Sequence, residues 1–131
     1  RHTGRYNCSL YTSEKKLKNI EHDKLGALII KKWSISPVIE STTRWHHTLD
    51  KDKRSELEDP HLHKLTDIII LANYLIKDIN FGNSGCSLKF PLDPEFLRRR
   101  KMDDQELQNC KEVVKEALEA EAEHLAIFSK E

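Results

Sequence analysis

The sequence predicts an all-α fold, a compact bundle of about five helices. Apolar residues recur at three- and four-residue spacing, no stretch shows the period-two alternation of a half-buried strand, and several apolar stretches open on capping residues.

Residues 1–20 carry few apolar side chains and no strong period, so a polar N-terminal segment or linker is expected, with a possible helical start near Ser13. In "HDKLGALIIKKW", His22 to Trp33, apolar residues at Leu25, Leu28, Ile29 and Trp33 make a helical stripe. Gly26 sits inside it and costs about 1 kcal/mol against alanine, so close approach of another helix is the expected compensation. In "SISPVIESTTRWHH" Ser36 can cap and Pro37 supplies the preset φ of a first helical position, giving a helix from about Pro37 to His47. Ile39, Thr43 and His46 share one face, with His47 rotated about 100° from it.

Residues 48–60, "TLDKDKRSELEDP", are highly charged and predict a solvated loop. The strongest helix is 61–79, "HLHKLTDIIILANYLIKDI", whose apolar face is expected at Leu62, Leu65, Ile68, Ile69, Ala72, Leu75, Ile76 and Ile79. Turn chemistry follows in "NFGNSGCSLKFPLDP", and Asp93-Pro94 opens a short helix through about Lys101. Asp103 with Glu106 reads as a capping box, and Leu107, Cys110, Val114, Ala117, Leu118, Leu125 and Phe128 continue one stripe. Together, residues 21–131 are expected to form one helical domain.

Lys plus Arg and Asp plus Glu both total 22, so no overall charge draws the chain to nucleic acid or an anionic membrane. The segment from Asp103 on holds nine acids against three lysines, an acidic last helix suited to docking a protein. Arg98, Arg99, Arg100 and Lys101 form a basic cluster, expected to pair with that helix. Cys8, Cys86 and Cys110 are odd in number and widely spaced, which points to a reducing compartment and the cytoplasm. The longest apolar run, Ile68 to Ala72, is far short of a bilayer span. An opening on Arg1 suggests a start inside a longer polypeptide. Trp33 and Trp45 each end a helix at apolar spacing, so packing is their expected role.

His46 and His47, with His22, His61 and His63, are candidate ligands for zinc, iron or manganese, since neutral imidazole binds each. Their spacings match no structural zinc pattern, and core or surface roles are the expectation from residues alone. The dipeptide His22-Asp23 raises an HD metal motif, but its lead-in, "KKLKNIE", is polar and the central helix offers Asn73 where a later carboxylate is wanted.

The order His22, Leu25-Gly26-Ala27, Trp33, Pro37, His46-His47 and Leu71-Ala72-Asn73 resembles the C-terminal portion of the HDOD domain. That domain is a helical regulatory relative of the HD and HD-GYP phosphohydrolases. The match covers roughly residues 21–79 and departs from the family at two places: Asn73 replaces its usual Asp, and no Gly-Tyr-Pro motif follows His47. On this alignment Asp23 merely follows the matching histidine. The resemblance implies an HD-domain-like, non-enzymatic signal-transduction domain of bacterial type that acts by binding a protein or small regulatory ligand. His22, His46, His47 and Asn73 would line a remnant of a metal pocket held by hydrogen bonds, with no catalytic residue and no cofactor. The alternatives are a metal-dependent phosphohydrolase of cyclic dinucleotides or nucleotides, retaining His22, His46 and His47 as ligands of Fe, Mn or Zn, and a docking module using the acidic C-terminal helix.

Overall fold

A computed structural model describes residues 10–18, 21–82, 91–121 and 124. Cys8, Cys86, Leu125, Phe128 and most of the turn predicted after Asn80 lie outside these residues. The chain divides into two units, residues 1–96 and 97–131. All regular structure among the described residues is helical: α1 Leu10–Lys18, α2 His22–Lys32, α3 Pro37–Trp45, a 3-10 turn Lys51–Lys53, α4 Pro60–Asp78, α5 Pro94–Arg99 and α6 Asp104–Ala120. No helix among them is long and apolar enough to cross a membrane.

Helix α1 begins at Leu10, three residues before the helical start expected near Ser13, and replaces the linker expected over its length. The end of α3 also differs. Regular helix stops at Trp45, and His46 and His47 stand in the turn beyond it.

In the first unit α2 and α3 form a tight antiparallel pair. Helix α2 ends in a Schellman motif: Ser34 takes φ 54°, its N–H donates to the Lys31 carbonyl and the Ile35 N–H reaches back to Ile30. Ser36 Oγ then accepts from the Val38 N–H and Pro37 starts α3, as the sequence predicts. The face that α2 turns inward holds Asp23 and Ala27, both buried, with Gly26 between them. A Cβ at Gly26 would lie 3.0 Å from Thr43 Cγ2, so the glycine is where the two helices come closest. This small-residue face displaces the predicted stripe. Leu25, Leu28 and Ile29 are exposed, and Trp33 is 70% exposed, against the expectation of packing; Trp45 is buried as expected.

Helix α4 is capped by Asp59, whose carboxylate accepts from the His61 N–H, with Pro60 at its first position. Its buried residues are Thr66, Asp67, Ile70 and Leu75, whereas Ile68 and Ile69 of the predicted face are exposed. The reason is an ion pair. Arg54, 1% exposed, donates from NH2 to Asp67 Oδ1 at 2.7 Å, and this turns the Asp67 side of α4 inward. The remaining guanidinium donors reach the carbonyls of Thr48 (2.9 Å), His63 (3.2 Å) and Leu49 (3.4 Å). Leu57 is buried too, and His63 Nε2 donates to its carbonyl at 2.7 Å. Residues 48–60 are thus mostly exposed, as the charge density suggests, but pinned to the first unit at Arg54 and Leu57.

The second unit holds α6, which opens on the predicted capping box. Asp103 Oδ1 accepts from the Glu106 N–H at 2.8 Å, and Glu106 Oε2 accepts from the Asp103 N–H at 3.1 Å. Leu107, Cys110, Val114 and Leu118 form its half-buried stripe, Ala117 of the predicted stripe is exposed, and Cys110 is a free thiol.

Asp67→Ala leaves the Arg54 charge buried without its anion and is expected to cost about 3–5 kcal/mol in urea unfolding. Arg54→Met combined with Asp67→Leu should recover the part of that loss due to the unpaired charge, while the Thr48 and Leu49 carbonyls lose their donor. Gly26→Ala should destabilise, because Thr43 is β-branched and rooted on a helix and yields little; adding Thr43→Ser should turn the same alanine into a gain of up to about 1 kcal/mol.

Candidate functional site

Three imidazoles meet where α1, the start of α2 and the end of α3 converge. His22 Nε2 lies 2.9 Å from His47 Nε2 and 3.3 Å from His46 Nε2. One ligand atom from each of the three histidines falls within 4.8 Å of the others. Two of the rings are oriented from behind. Glu14 Oε2 accepts from His22 Nδ1 at 2.6 Å and also from the His22 backbone N–H at 3.1 Å. Its carboxylate thus serves the N-terminus of α2, whose N-cap residue Glu21 makes no side-chain cap bond. His46 Nδ1 donates to the Thr43 carbonyl at 2.7 Å. Tyr11 stacks on His47, ring centroids 4.5 Å apart and planes 27° from parallel.

These acceptors fix the protons. With Nδ1–H of His22 committed to Glu14 and Nδ1–H of His46 committed to Thr43, the neutral form of each ring presents its lone pair at Nε2. Two lone pairs facing each other at 3.3 Å form no hydrogen bond. His47 can donate one proton to His22, which leaves His46 Nε2 unserved by the other two rings. A cation held among the three nitrogens would satisfy all of them.

The 3.3 Å between His22 and His46 suits one, and the 2.9 Å between His22 and His47 would widen slightly on binding. A tetrahedral ion with metal–nitrogen bonds of about 2.0–2.1 Å separates its nitrogens by roughly 3.3 Å. The protonation states suit one as well. Burial, followed by the proximity of His46 and His22, pushes His47 down to about 3, and burial lowers His46 despite its bond to Thr43. Both rings are therefore neutral, the ligating form, at ordinary pH. An acceptor behind a ligating imidazole, as Glu14 and the Thr43 carbonyl supply here, is the usual second-sphere arrangement.

Of the expected pocket residues, the structure brings His22, His46 and His47 together, and Asn73 lines an adjoining pocket with His46, His47, Leu49, Ile70, Tyr74, Lys77 and Leu92. His61 is exposed and His63 is bonded to Leu57, so neither joins the cluster. Asp23, the acid of the His-Asp dipeptide, is 1% exposed and pairs with Arg44 NH1 at 3.2 Å, outside the three-histidine group. Sequence reasoning missed Glu14 and Tyr11. Their helix carries little apolar signal, and the Glu14–His22 contact joins different helices.

No family model, curated protein or solved structure matches the chain.

In metal-free protein the site predicts acid lability. His47 is protonated in the unfolded chain below about 6.5 but resists protonation when folded until about 3. The unfolded state therefore binds more protons across that window, and stability must fall as pH drops through it. Urea midpoints from pH 7 to 4 with chelator present should show this slope, and it should flatten in His47→Gln. An unchanged slope in that variant contradicts the assignment.

Proposed function

We propose that this chain is a regulatory helical domain of the HDOD type whose three-histidine cluster binds one divalent transition-metal ion, acting by binding rather than by turnover. The convergence of the Nε2 atoms of His22, His46 and His47, two of them with acceptors behind the ring, carries this reading. His22, His46 and His47 would hold the ion, Glu14 would orient His22, and Thr43 would orient His46. Three neutral nitrogen ligands favour zinc, iron or nickel over magnesium or calcium, which take oxygen. Such an ion would supply Lewis acidity.

Binding without hydrolysis is favoured by position 73, where the resemblance calls for a carboxylate. An amide is a poorer ligand for a hard cation and a poorer base for activating water. The phosphohydrolase reading uses the same three histidines and is separated from this one by assay.

Protein purified without chelator and titrated with Zn²⁺ or Co²⁺ should bind one ion per chain. Binding should disappear in the double variant His46→Ala, His47→Ala and weaken roughly 10–100-fold in Glu14→Gln, the usual loss for a second-sphere partner. Cyclic dinucleotides and nucleotide monophosphates should remain intact under these conditions. Absence of stoichiometric metal overturns the reading, and histidine-dependent turnover replaces it with the phosphohydrolase.

A further inference from the structure

The wall of the pocket beside the histidines carries a second, separate signal. Lys77 and Asn73 are one turn apart on α4 and both line it, together with His46 and His47. Lys77 is only partly exposed and makes no ion pair with a described carboxylate, and its positive charge acts on both His46 and His47. Asn73 makes no side-chain hydrogen bond among the described residues and offers two amide donors. In a pocket lined largely by apolar surface, the Lys77 ammonium and the Asn73 amide are groups able to donate to an anion.

We infer that this pocket is an oxyanion subsite, in which Lys77 and Asn73 hold an oxygen of a small phosphate- or carboxylate-bearing ligand beside the histidine cluster. The inference deepens the metal-binding reading and rests on it for the second half of the site. A divalent ion on three neutral imidazoles keeps its full charge. Next to the Lys77 ammonium it creates a strongly positive locus, which Glu14, behind His22, only partly offsets. An anion held by Lys77 beside the histidines would be attracted by both charges and would relieve their mutual repulsion.

Size narrows the ligand. The enclosed volume is about 10 Å³, room for about one water-sized group. One oxygen of the oxyanion enters and the rest of the ligand stays outside. The flanking Leu49, Ile70 and Leu92 offer it apolar contact rather than further charge.

The test uses inorganic phosphate and acetate as probes, with binding to zinc-loaded and chelator-treated protein followed by calorimetry and by phosphorus NMR line width. Phosphate should bind saturably to loaded wild type. Lys77→Met should weaken it by roughly tenfold or more, the loss expected for a charge-assisted hydrogen bond. Lys77→Arg should retain most of the affinity. Lys64→Met, an exposed lysine near the start of the same helix, should leave affinity unchanged and serves as the control for general charge. Asn73→Asp should abolish phosphate binding while zinc stoichiometry stays at one.

Displacement of phosphate by acetate at equal concentration assigns the subsite to carboxylates, and failure to displace assigns it to phosphates. Equal losses in Lys77→Met and Lys64→Met, or no saturable binding of either anion to zinc-loaded protein, overturn the inference while leaving the metal reading intact. Lys77-dependent phosphate binding in protein that takes up no metal overturns the metal reading and leaves the subsite standing.

Discussion

The buried pair between Arg54 and Asp67 is the constraint on which the first unit depends. A guanidinium with almost no exposure is tolerable only when its donors are satisfied and its charge is matched. Here one carboxylate and three backbone carbonyls do so. Two of those carbonyls belong to Thr48 and Leu49, the residues directly after His46-His47, and the carboxylate belongs to α4. The pair therefore ties the chain leaving the histidines to the helix that carries Asn73 and Lys77. It also dictates which way α4 faces, since Asp67 must be turned inward and Ile68 and Ile69 are turned out as a consequence.

The cluster itself is held from the opposite direction. Glu14 bonds the backbone and the ring of His22 together, so the orientation of that imidazole is coupled to the start of α2. Thr43 does two jobs on α3: its methyl group faces the Gly26 gap, and its carbonyl orients His46. Helix approach and ring orientation are thus linked through one residue. The three nitrogens are brought close by packing that gives His22 and His46 acceptors behind their rings and leaves fewer protons than lone pairs among the three Nε2 atoms. That is the physical content of the metal proposal. It also sets the site apart from His63, whose Nε2 is already committed to a carbonyl.

Much of the local structure was legible because its causes are local. Ser36-Pro37 and Asp103 with Glu106 mark helix starts through bonds that span only a few residues, and each forms where the residue types place it; Asp59-Pro60, at the end of the expected loop, caps α4 in the same local way. Gly26 was legible as a point of close approach because a helical glycine needs a compensating contact. The pairing of His46 and His47 with His22 joins residues 24 and 25 apart and leaves no local signal in the sequence. Which faces would be buried was misread in α2 and α4, because hydrophobicity alone assigned Leu25, Leu28, Ile68 and Ile69 to the interior. The interior side was instead chosen by small residues in α2 and by an ion pair in α4.

By itself the sequence determined an all-α chain, the starts of α3, α4 and α6, and the placing of two histidines at the end of α3. Capping, proline geometry and helical periodicity act within a turn or two and need no partner. Only the tertiary structure decided that Glu14 stands behind His22, that Arg54 is buried, and that Lys77 lines a pocket with His46 and His47. Those relations join different helices or distant turns, and their energies come from desolvated charge and directed hydrogen bonds. Such interactions have no period along the chain by which they could be read in advance.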